Sequence, residues 1–280
     1  MPNKHQEPAV EHILKKYGIN PRTITEIAPW GDPHYFSVFT ALCPNIDRYV
    51  AVDADWDAGL GKNMWERYCR RIGEGGPPNT KLKFRQMLGE GKFEKVAGWY
   101  FATGDLPSDL VFYNNALYWS FPALNLAKGL RDIRARGLIL IKDSTIYDEN
   151  TVDFLEAMKS LNFDIGIYLI DASLHREYVF EEVKDLNLRQ WSEDMKKWLD
   201  SSSKDFFIAL KNRDGEIPPR DCLRLTYRAW SDGLAAGSSI RRKDITDSFK
   251  EFGRDYLLRS LEESGFSESL HVKNILQSFL

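Results

Sequence analysis

The sequence predicts an α/β protein built on a mostly parallel, Rossmann-like sheet. From Thr23 onward, short apolar runs alternate with longer helical patterns, as in a parallel sheet covered by helices on both faces. Several runs are almost continuously apolar, as strands buried on both faces would be. Two late runs stand too close together for a parallel crossover, so the sheet should close on an antiparallel hairpin.

Residues 23–29 form the first run, and Trp30-Gly31-Asp32-Pro33 is the turn that ends it. A helix over 34–43 follows, with Phe36, Phe39 and Ala41 buried, Asp32 as its cap and Pro33 at its first position. The second strand, 48–55, ends in Asp53-Ala54-Asp55, and 57–71 reads as a helix that the Gly/Pro-rich 73–79 terminates. Alternating charged and apolar residues predict a third strand over 81–88, then a helix over 92–103. Strands at 109–116 and 137–143 flank an amphipathic helix over 122–136. A helix over 151–161 and the hairpin runs 165–171 and 175–183 bring the expected sheet to seven strands.

The division is therefore an N-terminal helical segment (1–22), a Rossmann-like cofactor-binding domain (23–185) and a helical extension (186–280). Helical patterns at 191–199, 221–234 and 244–263 suit a lid, a substrate-shaping element or a homodimer contact.

Composition narrows the function. A formal net charge of -3 supplies no global field for phosphate backbones, so no nucleic-acid partner is expected. Cys43, Cys69 and Cys222 are odd in number and form no C-x-x-C pair, which indicates neither a disulfide framework nor a metal site and suits a reducing cytoplasm. The first 20 residues lack the apolar centre of a secretory signal, and no run approaches a membrane span, so a cytoplasmic protein with no membrane association is expected.

In an open parallel sheet, ligands sit at the carboxyl ends of the strands where the strand order reverses. Glu26 stands beside the first turn, and Asp53 ends the second strand, where a carboxylate can accept both hydrogen bonds of a ribose diol. Strand with acid, turn, helix, strand ending in acid: this order resembles the class I S-adenosylmethionine-dependent methyltransferases. The segment Leu110-Val-Phe-Tyr-Asn-Asn-Ala-Leu-Tyr-Trp119 is similar to the fourth-strand segment of their small-molecule members, and the terminal hairpin is similar to their antiparallel last strand. The [DN]-P-P-[YF] motif of members acting on adenine or amide nitrogen is absent, because Asn115 is followed by Ala116 and Leu117.

The resemblance implies S-adenosylmethionine as cofactor and methyl transfer to oxygen or nitrogen of a small molecule. It implies that Glu26 organises the first turn, that Ala28 and Gly31 let its backbone approach the methionine portion, and that Asp53 and Ala54 hold the ribose. Met87 and Leu88 would flank the adenine, and Asn114 and Asn115 would lie beside the sulfonium. Residues near strand ends that could act on the acceptor are His34, Asp143 and His175 as base or orienting group, and Tyr118, Trp119 and Tyr147 as substrate wall.

The family's first turn usually reads E-x-G-x-G-x-G, whereas here Gly31 is the single glycine among Ala28, Pro29 and Trp30. Three readings follow: a reshaped but competent site, a site for a different nucleotide, or a non-catalytic scaffold on the same fold. Asp53-Ala54-Asp55 is also a D-x-D pattern of the kind that holds a metal and sugar diphosphate in glycosyltransferases. Several of these residues have a plainer role beside the functional one, His175 as a cross-strand partner in the hairpin among them. Asp53 and Asp55 could cap a helix, Asp143 the following turn, His34 could begin its helix, and Tyr118 and Trp119 could be core aromatics.

Overall fold

The computed structural model describes residues 7–53, 56, 63–98, 100, 103–114, 116, 122–142, 155, 158–159, 163–171, 179–182 and 204–212. Eight strands form one sheet in the order β3-β2-β1-β4-β5-β8-β6-β7. They are β1 (Thr23–Ile27), β2 (Arg48–Asp53), β3 (Phe93–Ala97), β4 (Ser108–Asn114), β5 (Ile133–Lys142), β6 (Phe163–Asp171), β7 (Val179–Glu182) and β8 (Lys204–Asn212). Strands β3, β2, β1, β4 and β5 pair in parallel, so the mostly parallel sheet that the sequence predicts is present. The chain steps outward from β1 to β2 and β3, then returns to β4 on β1's other side. That reversal makes β1/β4 the switch point.

The helices follow local rules. α1 (Glu7–Lys16), α2 (His34–Leu42), α3 (Met64–Arg70, continued by a π-helical turn Arg71–Gly75) and α4 (Pro78–Gly89) precede α5 (Pro122–Asp132). α2 begins one residue later than expected: Pro33 is its N-cap rather than its first residue, and Asp32, one position before the cap, accepts the backbone N–H of His34 through Oδ1 at 3.2 Å. Tyr35, Phe36, Val38 and Phe39 are buried on α2, whereas Ala41 is exposed, because the helix turns that position to solvent.

Two packed layers cover the sheet. Ile24, Tyr49, Leu110, Phe112, Leu138 and Leu140 meet α1, α2, α3 and α4 on one face. Val50, Val52, Val111, Tyr113, Ile139 and Ile141 join Leu126, Leu155 and Met158 on the other. Alternation along 110–113 of β4 and 138–141 of β5 sends successive side chains to opposite faces.

Three expectations need correction. Residues 81–88 are not a strand but lie in α4, where Thr80, Phe84 and Met87 are buried at helical spacing and Pro78 stands at the start. The third strand is instead β3, inside the stretch read as a helix, and as a sheet edge it carries the charges Glu94 and Lys95. The strands also continue beyond residue 185. β8 inserts antiparallel between β5 and β6 from within the region expected to be helical.

The antiparallel β6–β7 pair is present, with Asp171 opposite Val179. It forms the edge, and β8 supplies a second antiparallel element inside the sheet. The helical patterns at 191–199, 221–234 and 244–263 lie outside the described residues. No described helix is long and apolar enough to cross a membrane.

Candidate functional site

Parallel register builds the site directly. Val52 pairs with Ile27, Ile27 with Tyr113, and Asn114 with Lys142. One position further along, Asp53, Ala28, Asn114 and Lys142 therefore stand in a single row across the carboxyl edge of β2, β1, β4 and β5. Ala51, Phe112 and Leu140, two residues earlier on their strands, all face the α2 layer. Alternation turns Asp53, Asn114 and Lys142 to that same face.

The turn after β1 lies in the middle of this row. Ala28 and Trp30 hold φ of 58° and 47°, and Gly31 has φ of 70°. Counted from Glu26, the first two glycines of E-x-G-x-G-x-G fall on Ala28 and Trp30. The turn thus takes the left-handed backbone that glycine normally supplies, at those two positions and without glycine.

Hydrogen bonds hold it there. Ala28 N–H donates to the Val52 carbonyl at 2.8 Å, Trp30 N–H to Asp53 Oδ2 at 2.9 Å, and Arg71 Nη1 to the Gly31 carbonyl at 3.0 Å. The indole of Trp30 is 70% exposed, so its ring is not buried by the fold that strains its backbone. Strain of this kind persists where the surroundings over-determine it, and it concentrates at ligand sites.

Glu26 is fully buried beneath the row. Its Oε2 accepts from Tyr49 Oη at 2.6 Å and Tyr68 Oη at 3.1 Å, and its Oε1 from Asn114 Nδ2 at 3.3 Å. Burial pushes the carboxyl up to about 7; the hydroxyl and amide donors pull the other way without offsetting it. Both tyrosine hydroxyls are held well above their ordinary range, by burial first and by the Glu26 charge second. Because Asn114 spends its amide N–H on Glu26, its carbonyl oxygen is turned away from that carboxyl.

His34 stands at the first position of α2 with both ring nitrogens buried and without a hydrogen-bond partner among the described residues. Burial lowers its pKa against the pull of Asp32, and the charge of Lys142 acts in the same direction as burial. His34 also borders a groove of about 480 Å³ between α2 and α4.

The structure sorts the expected site residues into three groups. Glu26, Ala28, Gly31, Asp53 and Asn114 come together at the turn, and His34 stands beside them. Met87 and Leu88 do not end a strand. They lie on α4, Met87 buried in the core and Leu88 half exposed, and the Met87 carbonyl accepts from Lys92 N–H just before β3 begins. The third strand ends instead at Ala97, and beyond it Gly98 N–H donates to the Asp53 carbonyl at 3.0 Å. Ala54, Asp55, Asn115, Tyr118, Trp119, Asp143, Tyr147 and His175 lie outside the described residues.

Sequence reasoning missed Tyr49, Tyr68 and Lys142. The signal for Lys142 was the period of two in Leu138, Leu140 and Lys142, which sets it on the face of Asn114. Burial pushes the thiols of Cys43 and Cys69 up to about 11, so neither is a thiolate nucleophile at neutral pH. No group of three or more metal-ligating side chains exists among the described residues.

These features define a Rossmann-like α/β protein whose polar side chains gather at the switch point of its sheet. Comparison with solved structures finds similar folds in methyltransferases. One is the O-methyltransferase from Bacillus cereus in complex with S-adenosylhomocysteine, at 12% identity and TM-score 0.43, covering 75% of this chain and 82% of that one. Another is the O-methyltransferase of tomaymycin synthesis from Streptomyces achromogenes in complex with S-adenosylmethionine, at 12% identity and TM-score 0.43, covering 74% and 79%. A third is precorrin-6y C5,15-methyltransferase from Geobacter metallireducens, at 12% identity and TM-score 0.42, covering 73% and 87%. No protein-family model and no curated protein matches the chain.

Proposed function

We propose that this protein is an S-adenosylmethionine-dependent methyltransferase acting on an oxygen or nitrogen of a small molecule. The observation that carries the reading is the turn after β1, which adopts positive φ at Ala28 and Trp30 and is fastened to Asp53 through the Trp30 N–H. Positive φ at the two positions where the family's motif carries glycine supports a turn that works as that motif does. Of the three readings of this turn, the reshaped but competent site is the one this geometry favours.

The residues present fit the cofactor. Asp53 is 5% exposed at the end of β2, where a carboxylate accepts from a ribose diol. Asn114, two strands along the row, would offer its amide oxygen to the sulfonium, and an amide oxygen suits a cation. The fully buried Glu26 fixes that amide from below. When bound, the cofactor supplies an activated methyl group. The chain's own task is alignment and exclusion of water, because an in-line displacement gains chiefly from near-attack geometry.

His34, whose pKa burial lowers, is the group we assign to take a proton from an acceptor hydroxyl. Titration calorimetry with S-adenosylmethionine and S-adenosylhomocysteine tests the reading. One-to-one binding of both is expected, and silent traces with both would sink it.

A further inference from the structure

We infer that Glu26 is a positioning residue whose protonation turns the Asn114 amide end for end. Ionised, Glu26 leaves the amide oxygen facing the cofactor; protonated, it leaves the NH2 there. One buried proton then governs the site's preference for the sulfonium of S-adenosylmethionine over the thioether of S-adenosylhomocysteine. The inference rests on the methyltransferase reading and adds a regulation to its cofactor site.

The two carboxyl oxygens of Glu26 are held unequally. Oε2 accepts from Tyr49 Oη at 2.6 Å and from Tyr68 Oη at 3.1 Å, whereas Oε1 accepts from Asn114 Nδ2 at 3.3 Å. A proton taken up from solvent therefore settles on Oε1, where it displaces the longest of the three bonds and leaves both tyrosine bonds in place. An Oε1–H and an amide NH2 are both donors and cannot bond each other. Turning the amide presents its oxygen to the new O–H instead, and amide oxygen and NH2 are close enough in size for the same space to take either. Glu26 is fully buried, so leaving that O–H without an acceptor would cost more than the turn.

Each element packed against Glu26 contributes a named group: Tyr49 from β2, Tyr68 from α3, Asn114 from β4 and the charge of Asp32 from the turn before α2. Burial and Asp32 favour the neutral carboxyl, the three donors favour the ionised one, and the result is pushed up to about 7, so both forms are populated near neutral pH. Both tyrosines stay protonated throughout, held well above their ordinary range. The row's own charged groups, Asp53 and Lys142, stand on strands to either side of Asn114. An amide oxygen attracts a sulfonium and an NH2 repels it, whereas a neutral thioether distinguishes little between them.

The test measures the affinity of the full chain for S-adenosylmethionine and for S-adenosylhomocysteine by titration calorimetry, at about pH 8.5 and about pH 5.5. It uses wild type, Glu26→Gln and Asn114→Ala. In wild type the preference for the sulfonium should fall about tenfold or more at the lower pH, as linkage to one group titrating between the two requires. Glu26→Gln, whose amide donates to Asn114 as the protonated acid does, should hold the low preference at both pH values. That comparison separates Glu26 from His34 and from the ligand's own amino group. Asn114→Ala should show a preference that does not change with pH.

A wild-type preference that is the same at both pH values overturns the proposal, as does an equal fall in Glu26→Gln. A fall that persists in Asn114→Ala also overturns it, since Glu26 would then act through its charge alone. If wild type binds neither ligand, the methyltransferase reading falls instead. The relay is then decided by the NMR resonances of the Asn114 side-chain amide in the free protein. They should shift between the two pH values in wild type and stay at the acid position in Glu26→Gln, and resonances that do not move overturn it.

Discussion

Trp30 concentrates the unusual physics of this protein in one residue. An L-residue in the left-handed region costs about 1–2 kcal/mol, and an indole that is 70% exposed recovers little of that through packing. Trp30→Gly should therefore raise stability, by about 1 kcal/mol in chemical denaturation, because the N–H that Asp53 accepts is a backbone group that glycine retains. A loss of stability would show that the ring contributes more than its exposure suggests. Glu26 makes a second prediction. Its pKa is raised from 4.5 to about 7, so between those values the folded state binds more protons than the unfolded one. Stability from this group is full below pH 4.5 and declines as pH rises toward 7, by on the order of 3 kcal/mol in total. Glu26→Gln should flatten the pH dependence of the melting temperature between pH 5 and 8, and an unchanged slope would locate the titration elsewhere. At this scale the sequence was legible where chemistry is written in residue type. Glu26, Asp53 and Asn114 stood out as polar groups at strand ends, whereas Tyr49 and Tyr68 resemble core aromatics until a buried carboxyl is seen between them.

The elements on the face opposite α2 carry a polar network inside an apolar layer. Lys128 of α5 donates to Asp132 one turn on and to the Gly104 carbonyl at 2.9 Å, and Tyr100 Oη donates to Asp132 at 2.8 Å. Both ionic groups are almost fully buried. Removing one partner leaves the other charge uncompensated, so Lys128→Met should destabilise by about 3–5 kcal/mol in urea melts, and adding Asp132→Leu should recover most of it. A double variant as unstable as the single one would contradict this. α5 also needs a glycine for closeness. A Cβ at Gly129 would run into Tyr113 Oη, and that hydroxyl donates to the Asn125 carbonyl at 2.5 Å. Gly129→Ala should therefore cost about 2 kcal/mol by thermal melt, through overpacking and a displaced hydrogen bond. Elements were misread where one window supports two periods. Residues 81–88 alternate charged and apolar like an edge strand, yet Thr80, Phe84 and Met87 are the ones buried, and only the tertiary partner decides between them.

For the whole molecule, the mostly parallel sheet was readable because buried parallel strands are written as apolar runs. β8 was missed although Phe206-Phe-Ile-Ala-Leu210 is such a run, because it lies among charged helical patterns and far along the chain from β5, its partner. Its position has a consequence for how much of the chain folds as a unit. A fragment ending at residue 185 lacks the strand that joins β5 to β6. It should show no cooperative melt, whereas a cooperative transition in that fragment would mean that the remaining strands suffice. The central claim, that the glycine-poor turn after β1 is the floor of a cofactor site, is tested most directly by amide hydrogen exchange resolved along the chain, with and without S-adenosylhomocysteine. The account predicts slowed exchange confined to the carboxyl edge, in residues 28–34, around Asp53 and at the end of β3. Unchanged exchange there, or protection confined to the groove between α2 and α4, would contradict it.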